Sequence, residues 1–198
     1  WTTSLRLDKS VTMERCINFR KAGCTNLFLG IETFDPGLLR RVEKGTNIET
    51  IKKVLSNAFW ANIYVFAYMM IGLPFQTEDE ARADYRKLQE LIGSGLILGY
   101  NFAPLMLVPG SKYYLHPEQY GISDIRIPAG QDLEGTIADF RTEGMDRKKA
   151  IKLAIEFTKR KEGFNLTQVN INEKPIPVRH SLHDEAVNLE EEMVHLMI

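Results

Sequence analysis

Four strand-like apolar segments alternate with helical segments over the first 108 residues, and no other feature limits the possible folds so strongly. The third of these segments, IYVFAYMMI (63–71), is apolar at both alternating positions, which is typical of a parallel strand covered on both faces. Parallel strands need long connections, and the helical segments between them supply these. The alternation therefore predicts an α/β fold with right-handed helical crossovers, either part of a barrel or a small open sheet.

Start signals and apolar stripes locate the helices between the strands. Two kinds of start signal occur, an Asp followed by Pro and a Thr with Glu three residues later, and they lie at Asp35–Pro36, at Thr46 with Glu49, and at Thr77 with Glu80. The helix that follows the last signal should bury one stripe, which consists of Ala81, Tyr85, Leu88, Leu91 and Ile92. Such stripes indicate packing on the sheet.

The sequence changes character after these segments. Residues 109–135 are rich in loop-forming residues, residues 145–161 predict an amphipathic helix, and residues 164–180 predict a polar connector. The inward side of the amphipathic helix is predicted to carry Ile151, Ala154, Ile155 and Thr158. A final apolar stripe over 182–198 would pack on the chain's own core or bind a partner, which could be a second copy of the chain.

Composition and charge exclude several classes of partner. The 198 residues include 25 Lys and Arg against 26 Asp and Glu, so the net charge of -1 attracts neither nucleic acid nor an anionic membrane. The longest apolar stretch, 63–73, is too short to span a bilayer, and we expect a cytoplasmic protein. The two cysteines, Cys16 and Cys24, form neither a disulfide framework nor a zinc ligand set, and both are expected to be buried.

Polar residues and glycines follow each predicted strand, at the edge where parallel sheets bind ligands. The four strand ends contribute Arg6 with Asp8, then residues 30–33 (GIET), 72–77 (GLPFQT) and 100–104 (YNFAP). Each has a simpler explanation. A glycine can be needed for a turn or for a close approach of two backbones, and the carboxylate of Glu32 can stabilise the positive N-terminal end of the next helix. Since all four lie at the same end of successive strands, we interpret them together as a ligand site.

Three longer stretches carry a resemblance to a known family. Over 20–55, 68–80 and 103–122 the sequence resembles the radical S-adenosylmethionine (radical SAM) enzymes, especially the class that often carries a cobalamin-binding domain. It is also similar to oxygen-independent coproporphyrinogen III oxidases at GIETF, IGLPFQT and NFA. The resemblance implies a partial, TIM-like (β/α) barrel of parallel strands over residues 1–121 and a helical and loop-rich extension over 122–198.

The resemblance also implies cofactors. Radical SAM enzymes hold a [4Fe–4S] cluster and S-adenosylmethionine, whose reductive cleavage gives a 5′-deoxyadenosyl radical. By position, Glu32 corresponds to the acceptor near the cofactor's ribose or amino group, and Lys44 to the cation for its carboxylate. The other cofactor-binding positions implied in this way are Arg6, Tyr68, Met70, Gly72, Phe102 and Ala103. The substrate, and whether the parent protein binds cobalamin, stay open.

Two departures from the family pattern bear on activity. The family's cluster is held by a Cys-x3-Cys-x2-Cys loop after the first strand, and this sequence contains no such motif. We therefore predict the C-terminal portion of a longer enzyme, which starts near its third strand, lacks the N-terminal half of the barrel and generates no radical alone. Tyr68 takes a position where some relatives have a ribose-binding aspartate, so that contact is absent or different here.

Three other functions stay open on the sequence. A His-x2-His spacing with nearby side chains could bind a transition metal, although a solvated connector explains the same residues, which are His180, His183, Asp184 and His195. A barrel enzyme without a cluster would need an acid–base pair, for which Glu32 and Lys44 are the candidates. A non-catalytic module would use the barrel as a scaffold and its C-terminal helix to bind a partner.

Overall fold

The computed structural model describes residues 1–127, 139–159 and, by backbone alone, 164–165. Strands and helices alternate through its first part in the order β1 (Thr2–Leu5), α1 (Met13–Lys21), β2 (Asn26–Glu32), α2 (Pro36–Arg41), α3 (Ile48–Trp60), β3 (Tyr64–Ile71), α4 (Glu78–Gly93) and β4 (Gly99–Pro104). The later elements are α5 (Lys112–Leu115), a 3-10 helix (Pro117–Tyr120), β5 (Ile122–Arg126), β6 (Asp139–Thr142), α6 (Arg147–Lys159) and β7 (Phe164–Asn165).

The main sheet is parallel, with the strand order β1-β2-β3-β4-β7. The predicted α/β fold with four parallel strands joined by helices is therefore confirmed. Within β2 and β3, alternate side chains are buried beneath the helices, and these are Leu27, Leu29, Ile31, Val65, Ala67, Met69 and Ile71. The opposite face, called the inner face below, carries a row of aromatic rings, since Phe28 lies 5.3 Å from Phe66 and 6.1 Å from Tyr68 between ring centroids.

Coverage of β3 differs from the prediction at one end. Phe66 on the inner face is 3% exposed, as expected of a strand covered on both sides, but Tyr68 is 38% exposed. The helices cover one face along the whole strand, whereas the inner face opens toward the carboxyl end. The same end carries the predicted ligand positions.

Two of the three predicted helix starts are confirmed. Asp35 caps α2 by accepting a hydrogen bond from the Leu38 amide at 2.7 Å, and Thr77 forms a reciprocal capping box with Glu80 on α4. The third is wrong by one residue, because Asn47, not Thr46, caps α3. The Asn47 Oδ1 atom accepts from the Thr50 amide at 2.8 Å, whereas the Thr46 hydroxyl is buried without a hydrogen-bond partner among the described residues.

This correction predicts opposite behaviour for two neighbouring substitutions. Asn47→Ala should lower the free energy of unfolding by about 1 kcal/mol, because the Thr50 amide loses its acceptor. Thr46→Ala should leave that free energy unchanged or raise it, because it removes an unsatisfied hydroxyl. Urea denaturation of both variants measures the difference, and a larger loss in Thr46→Ala would restore the capping box predicted from the sequence.

The apolar stripe of α4 is confirmed, with Ala81, Tyr85, Leu88 and Leu91 buried and Ile92 packed against the same core. The stripe predicted for α6 is wrong in register. Its buried residues are Ala150, Leu153, Ala154 and Phe157, while Ile155 is 48% exposed. The helix turns this face to the sheet because Phe157 fits among the aromatic rings of α4 and β4.

The segment predicted to be loop-rich also contains regular structure. β5 and β6 pair as an antiparallel hairpin that packs in a second hydrophobic cluster with Leu105, Leu107 and Tyr120. The predicted connector begins with β7, which extends the main sheet by pairing with β4 at Gly99 and Tyr100. The division of the chain at residue 121 stays a prediction, and the apolar stripe over 182–198 lies outside the described residues. No helix in the described part of the chain has the length and apolar character to cross a membrane.

Candidate ligand-binding cleft

An ion pair between Glu32 and Lys44 lies over Gly30 at the carboxyl end of β2. The Nζ atom of Lys44 is 2.5 Å from Oε1 of Glu32, and both side chains are partly buried. A Cβ atom on residue 30 would lie 2.6 Å from that carboxylate oxygen and 3.3 Å from the ammonium. Gly30 therefore makes room for the pair, which explains the glycine of GIET by a close approach of side chains.

The backbone at Glu32 is strained. Its φ of 70° lies in the left-handed region, and the pairing of β2 with β3 shifts register between Gly30 and Glu32. Such a conformation costs a non-glycine residue about 1–3 kcal/mol. A bulge at a strand end redirects a side chain, and strain retained at such a position supports a functional role for Glu32.

Lys44 is placed by the way α2 ends. The Glu43 amide donates to the Arg40 carbonyl and the Lys44 amide to the Leu39 carbonyl, each at 3.1 Å, which is the Schellman arrangement. Glu43 takes the left-handed position that glycine usually occupies there, with φ at 52°. Lys44 thus follows directly on the C-terminus of α2 and points its ammonium at the end of β2.

Arg6, just after β1, lines the same cleft. Its Nη2 atom donates to the Lys44 carbonyl at 3.4 Å, and a Cβ atom on Gly45 would lie 2.7 Å from that nitrogen. The cleft is open, holds about 350 Å³, and is lined by Leu5, Arg6, Leu7, Gly30, Val42, Glu43, Lys44, Lys112 and Tyr113. Arg6 and Lys44, together with the Glu32 carboxylate that pairs with Lys44, can bind a molecule that carries both a carboxylate and an ammonium group.

Three further predicted positions share the inner face. Tyr68 pairs in register with Gly30 on one side and with Asn101 on the other, so it neighbours the strand position beneath the ion pair. Met70 pairs with Ala103, and Met70 is partly buried against the second hydrophobic cluster. Tyr68 is the most exposed of the three and the best placed to contact a ligand in the open part of this face.

Two predicted positions lie away from the cleft. Phe102 is 4% exposed, and its ring centroid lies 5.2 Å from that of Phe157 beneath the helices. A Cβ atom on Gly72 would come within 2.9 Å of the Cβ of Ala150 on α6, and Gly72 has a φ of 76°. Gly72 therefore serves a turn and a close helix contact, and the ring of Phe102 packs in the core, while the cofactor-binding roles implied for both positions stay predictions.

A buried carboxylate that the sequence analysis missed joins two strand ends. Asp84 of α4 is 3% exposed, and its Oδ1 accepts from the Phe34 amide at 2.7 Å, two residues beyond Glu32. Its Oδ2 accepts from Nε2 of Gln76 at 3.3 Å, while Oε1 of Gln76 accepts from the Gly72 amide at 2.8 Å. Burial raises the pKa of Asp84 to about 7.

One signal in the sequence could have revealed Asp84. It lies three residues after Ala81 and four before Leu88, inside the apolar stripe of α4, where an acidic residue must be buried with hydrogen-bond partners. The network holds the end of β2 beside the start of the loop after β3. It therefore supports the backbone on which Glu32 sits.

The cysteines do not fit an iron–sulfur cluster. Cys16 and Cys24 are 0% exposed, which confirms their predicted burial, and burial raises the pKa of both thiols, whereas cluster ligands are thiolates. Cys24 lies before the amino end of β2, at the opposite end of that strand from the cleft. Among the described residues no three His, Cys, Asp or Glu side chains are grouped to hold a metal ion. The candidate group around His183 lies outside that part of the chain.

A parallel α/β sheet with charged side chains at the carboxyl ends of its strands is the arrangement of a partial (β/α) barrel. Residues 2–88 match the model of the radical SAM superfamily. This match contains β1 to β3, Arg6, Glu32 and Lys44, and it confirms the resemblance found in the sequence. No curated protein sequence matches the chain.

Solved structures with the same fold include three proteins. Elp3 of the archaeon Methanocaldococcus infernus aligns with a TM-score of 0.53 and 16% identity, over 60% of this chain and 27% of that one. TsrM of Kitasatospora setae is a radical S-adenosylmethionine methyltransferase solved with cobalamin and a [4Fe–4S] cluster. It aligns with a TM-score of 0.52 and 15% identity, over 66% of this chain and 26% of that one. HemN of Escherichia coli, a coproporphyrinogen III oxidase and radical SAM enzyme, aligns with a TM-score of 0.50 and 16% identity, over 79% of this chain and 31% of that one. This chain spans between 26% and 31% of the lengths of these three proteins.

Proposed function

We propose that this chain is the S-adenosylmethionine-binding part of the barrel of a radical SAM iron–sulfur enzyme. The observation that carries the proposal is the Glu32–Lys44 ion pair over Gly30, which lies at a strand end inside the segment that matches the family. Arg6 adds a second cation to the same cleft. S-adenosylmethionine combines a carboxylate, an ammonium and ribose hydroxyls, and these charges and donors complement the three side chains.

Each residue has a role that follows from its chemistry. Lys44 pairs with the ligand's carboxylate as a point charge, and Glu32 accepts hydrogen bonds from the ammonium or a ribose hydroxyl. Tyr68, Met70 and Ala103 line the inner face and offer contacts to the adenine ring. In enzymes of this family, reductive cleavage of the bound cofactor at the cluster supplies a 5′-deoxyadenosyl radical.

The cluster belongs to another part of the parent protein in this proposal, because the two buried cysteines of this chain do not suit it. β1 lies at one edge of the sheet, where a further strand from the N-terminal half of the barrel can pair. The parent would be a cytoplasmic oxidoreductase or transferase, and would carry cobalamin if it follows the class that the sequence resembles. The alternative, a non-catalytic module, depends on residues 182–198 and stays a prediction.

Isothermal titration with two ligands tests the proposal. S-adenosylmethionine has the carboxylate and ammonium, whereas 5′-methylthioadenosine keeps the nucleoside and lacks both groups. Lys44→Met should weaken S-adenosylmethionine binding by about 10- to 100-fold, the loss of one charged interaction, and leave 5′-methylthioadenosine binding unchanged. Lys53→Met, at an exposed lysine of α3, is the matched control and should bind both ligands as the unmodified chain does.

Two results would refute this assignment. The unmodified chain could fail to bind S-adenosylmethionine at any concentration that the titration reaches. Alternatively, Lys44→Met could weaken both ligands equally, which would mean that the lysine supports the fold of the cleft and does not contact a carboxylate.

A further inference from the structure

A short segment from Ser111 to Tyr120, called the strap below, packs on the turn that carries Lys44. It contains α5 and the 3-10 helix, and its Lys112 lies 69 residues along the chain from Glu43. The strap contributes Lys112 and Tyr113 to the lining of the cleft but has been given no role in the site so far. Its contacts are nevertheless directed at the two residues that immediately precede Lys44.

Three donors of the strap converge on this turn. Nζ of Lys112 donates to the Val42 carbonyl at 2.9 Å and to Oε2 of Glu43 at 3.1 Å. The Tyr113 hydroxyl donates to the same carbonyl at 3.3 Å, and the Tyr120 hydroxyl donates to the same carboxylate oxygen at 3.1 Å. The ammonium also lies 5.4 Å and 5.3 Å from the ring centroids of Tyr113 and Tyr120, within range of cation–π attraction.

The turn needs such support. Glu43 occupies the left-handed position of the Schellman arrangement, where glycine would be free of strain. A glutamate at this position makes physical sense because its carboxylate is held by Lys112 and Tyr120, as glycine could not be. The side chain thus ties a strained turn to a distant segment.

The ionisation states of Glu43 and Tyr113 are those that the hydrogen bonds between the strap and the turn require. The hydrogen bonds from Lys112 and Tyr120 lower the pKa of Glu43, which keeps its carboxylate charged. Burial raises the pKa of Tyr113 to about 12, so its hydroxyl retains the proton that it donates to the Val42 carbonyl. Glu43 is therefore a charged acceptor and Tyr113 a protonated donor in these hydrogen bonds.

We propose that Lys112 is a positioning residue for Lys44. By fixing Val42 and Glu43 it holds the next residue, Lys44, opposite Glu32 and ready for an incoming carboxylate. The inference rests on the proposed function where it assigns Lys44 to a ligand carboxylate. The positioning itself can be measured without a ligand.

Amide hydrogen exchange provides that measurement. The Lys44 amide donates to the Leu39 carbonyl, so its exchange rate reports on whether the turn is formed. Lys112→Met, which keeps the aliphatic length but removes the ammonium, should speed exchange at residues 43 and 44 by about tenfold. Lys112→Arg should restore slow exchange, because a guanidinium can donate to both acceptors. Lys53→Met should leave the rates unchanged, and unchanged rates in Lys112→Met would overturn the inference.

Titration with the two ligands completes the test. Lys112→Met should weaken S-adenosylmethionine binding by about tenfold without affecting 5′-methylthioadenosine, and Lys112→Arg should recover most of the loss. Equal weakening of both ligands would show a merely structural role and overturn the inference. If Lys44→Met weakens binding and Lys112→Met does not, this inference fails and the proposed function stands. If the unmodified chain binds no S-adenosylmethionine, the proposed function fails, and the exchange rates still decide the role of Lys112.

Discussion

Replacing Phe157 with alanine should lower the free energy of unfolding by about 3–5 kcal/mol. Phe157 is 1% exposed, and its ring stacks on Tyr85 with centroids 4.4 Å apart and lies 5.2 Å from the ring of Phe102. The substitution leaves a cavity among rings held by α4 and β4, which cannot close without moving both elements. Urea denaturation followed by circular dichroism measures the loss.

Ile155→Ala is the matched control on the same helix. Ile155 is 48% exposed, so its truncation should change the free energy of unfolding by no more than about 0.5 kcal/mol. Comparable losses at positions 155 and 157 would contradict the register of α6 on the sheet. Separate unfolding transitions in the unmodified chain would contradict the shared core, because Phe157 and Tyr85 should lose their structure together.

Replacing Asp84 with asparagine should flatten the pH dependence of stability between pH 4 and pH 8. Burial raises the folded-state pKa of Asp84 from 3.8 to about 7, so the native state holds this proton more tightly than the unfolded chain does. The resulting stabilisation is complete below pH 3.8 and is lost as the pH rises through about 7. The shift corresponds to a change on the order of 4 kcal/mol across this range.

The predicted quantity is the difference in free energy of unfolding between the Asp84→Asn variant and the unmodified chain, followed as a function of pH. Paired carboxylates such as Glu43 and Glu78 have lowered pKa values and act in the opposite direction, but they are common to both proteins. The new side chain of the Asp84→Asn variant would also turn an amide toward the Nε2 of Gln76, which shifts the whole curve without changing its slope. Chemical denaturation at several pH values measures this difference. The control is Asp79→Asn, at an exposed position on the same helix, which should keep the pH dependence of the unmodified chain. A constant difference between the Asp84→Asn variant and the unmodified chain would contradict the prediction.

The fold was largely predictable because its signals are local. The strand at 64–71 can be recognised in the sequence as a continuous apolar run. Helix α4 can be recognised by its capping box and its apolar stripe of period 3.6. Asn47 shows the limit of local signals. Two adjacent residues can both cap a helix, and only the chain's path decides which side chain reaches the amide of Thr50.

Only some residues of the candidate site could be predicted, and the signals were strand ends and family resemblance. Arg6 and Glu32 were singled out by strand ends and Lys44 by family resemblance. The structure places Arg6 and Lys44 in one cleft and pairs Glu32 with Lys44. Phe102 was also near a strand end but lies beneath the helices, because alternate residues of a strand face opposite sides and the sequence did not reveal which side was which. Gly72 follows the last residue of β3, and its left-handed backbone turns it against Ala150 of α6.

The sequence by itself determined the order of strands and helices and the place of Arg6 and Glu32 at the carboxyl edge, since these follow from patterns within a few residues, whereas Lys44 was implied by family resemblance. Only the tertiary structure decided that Gly30 clears space for an ion pair, and that Lys112 holds the turn before Lys44 from 69 residues away. These contacts join segments that are distant in the chain. Their geometry depends on how the sheet and helices pack, and no local pattern encodes it.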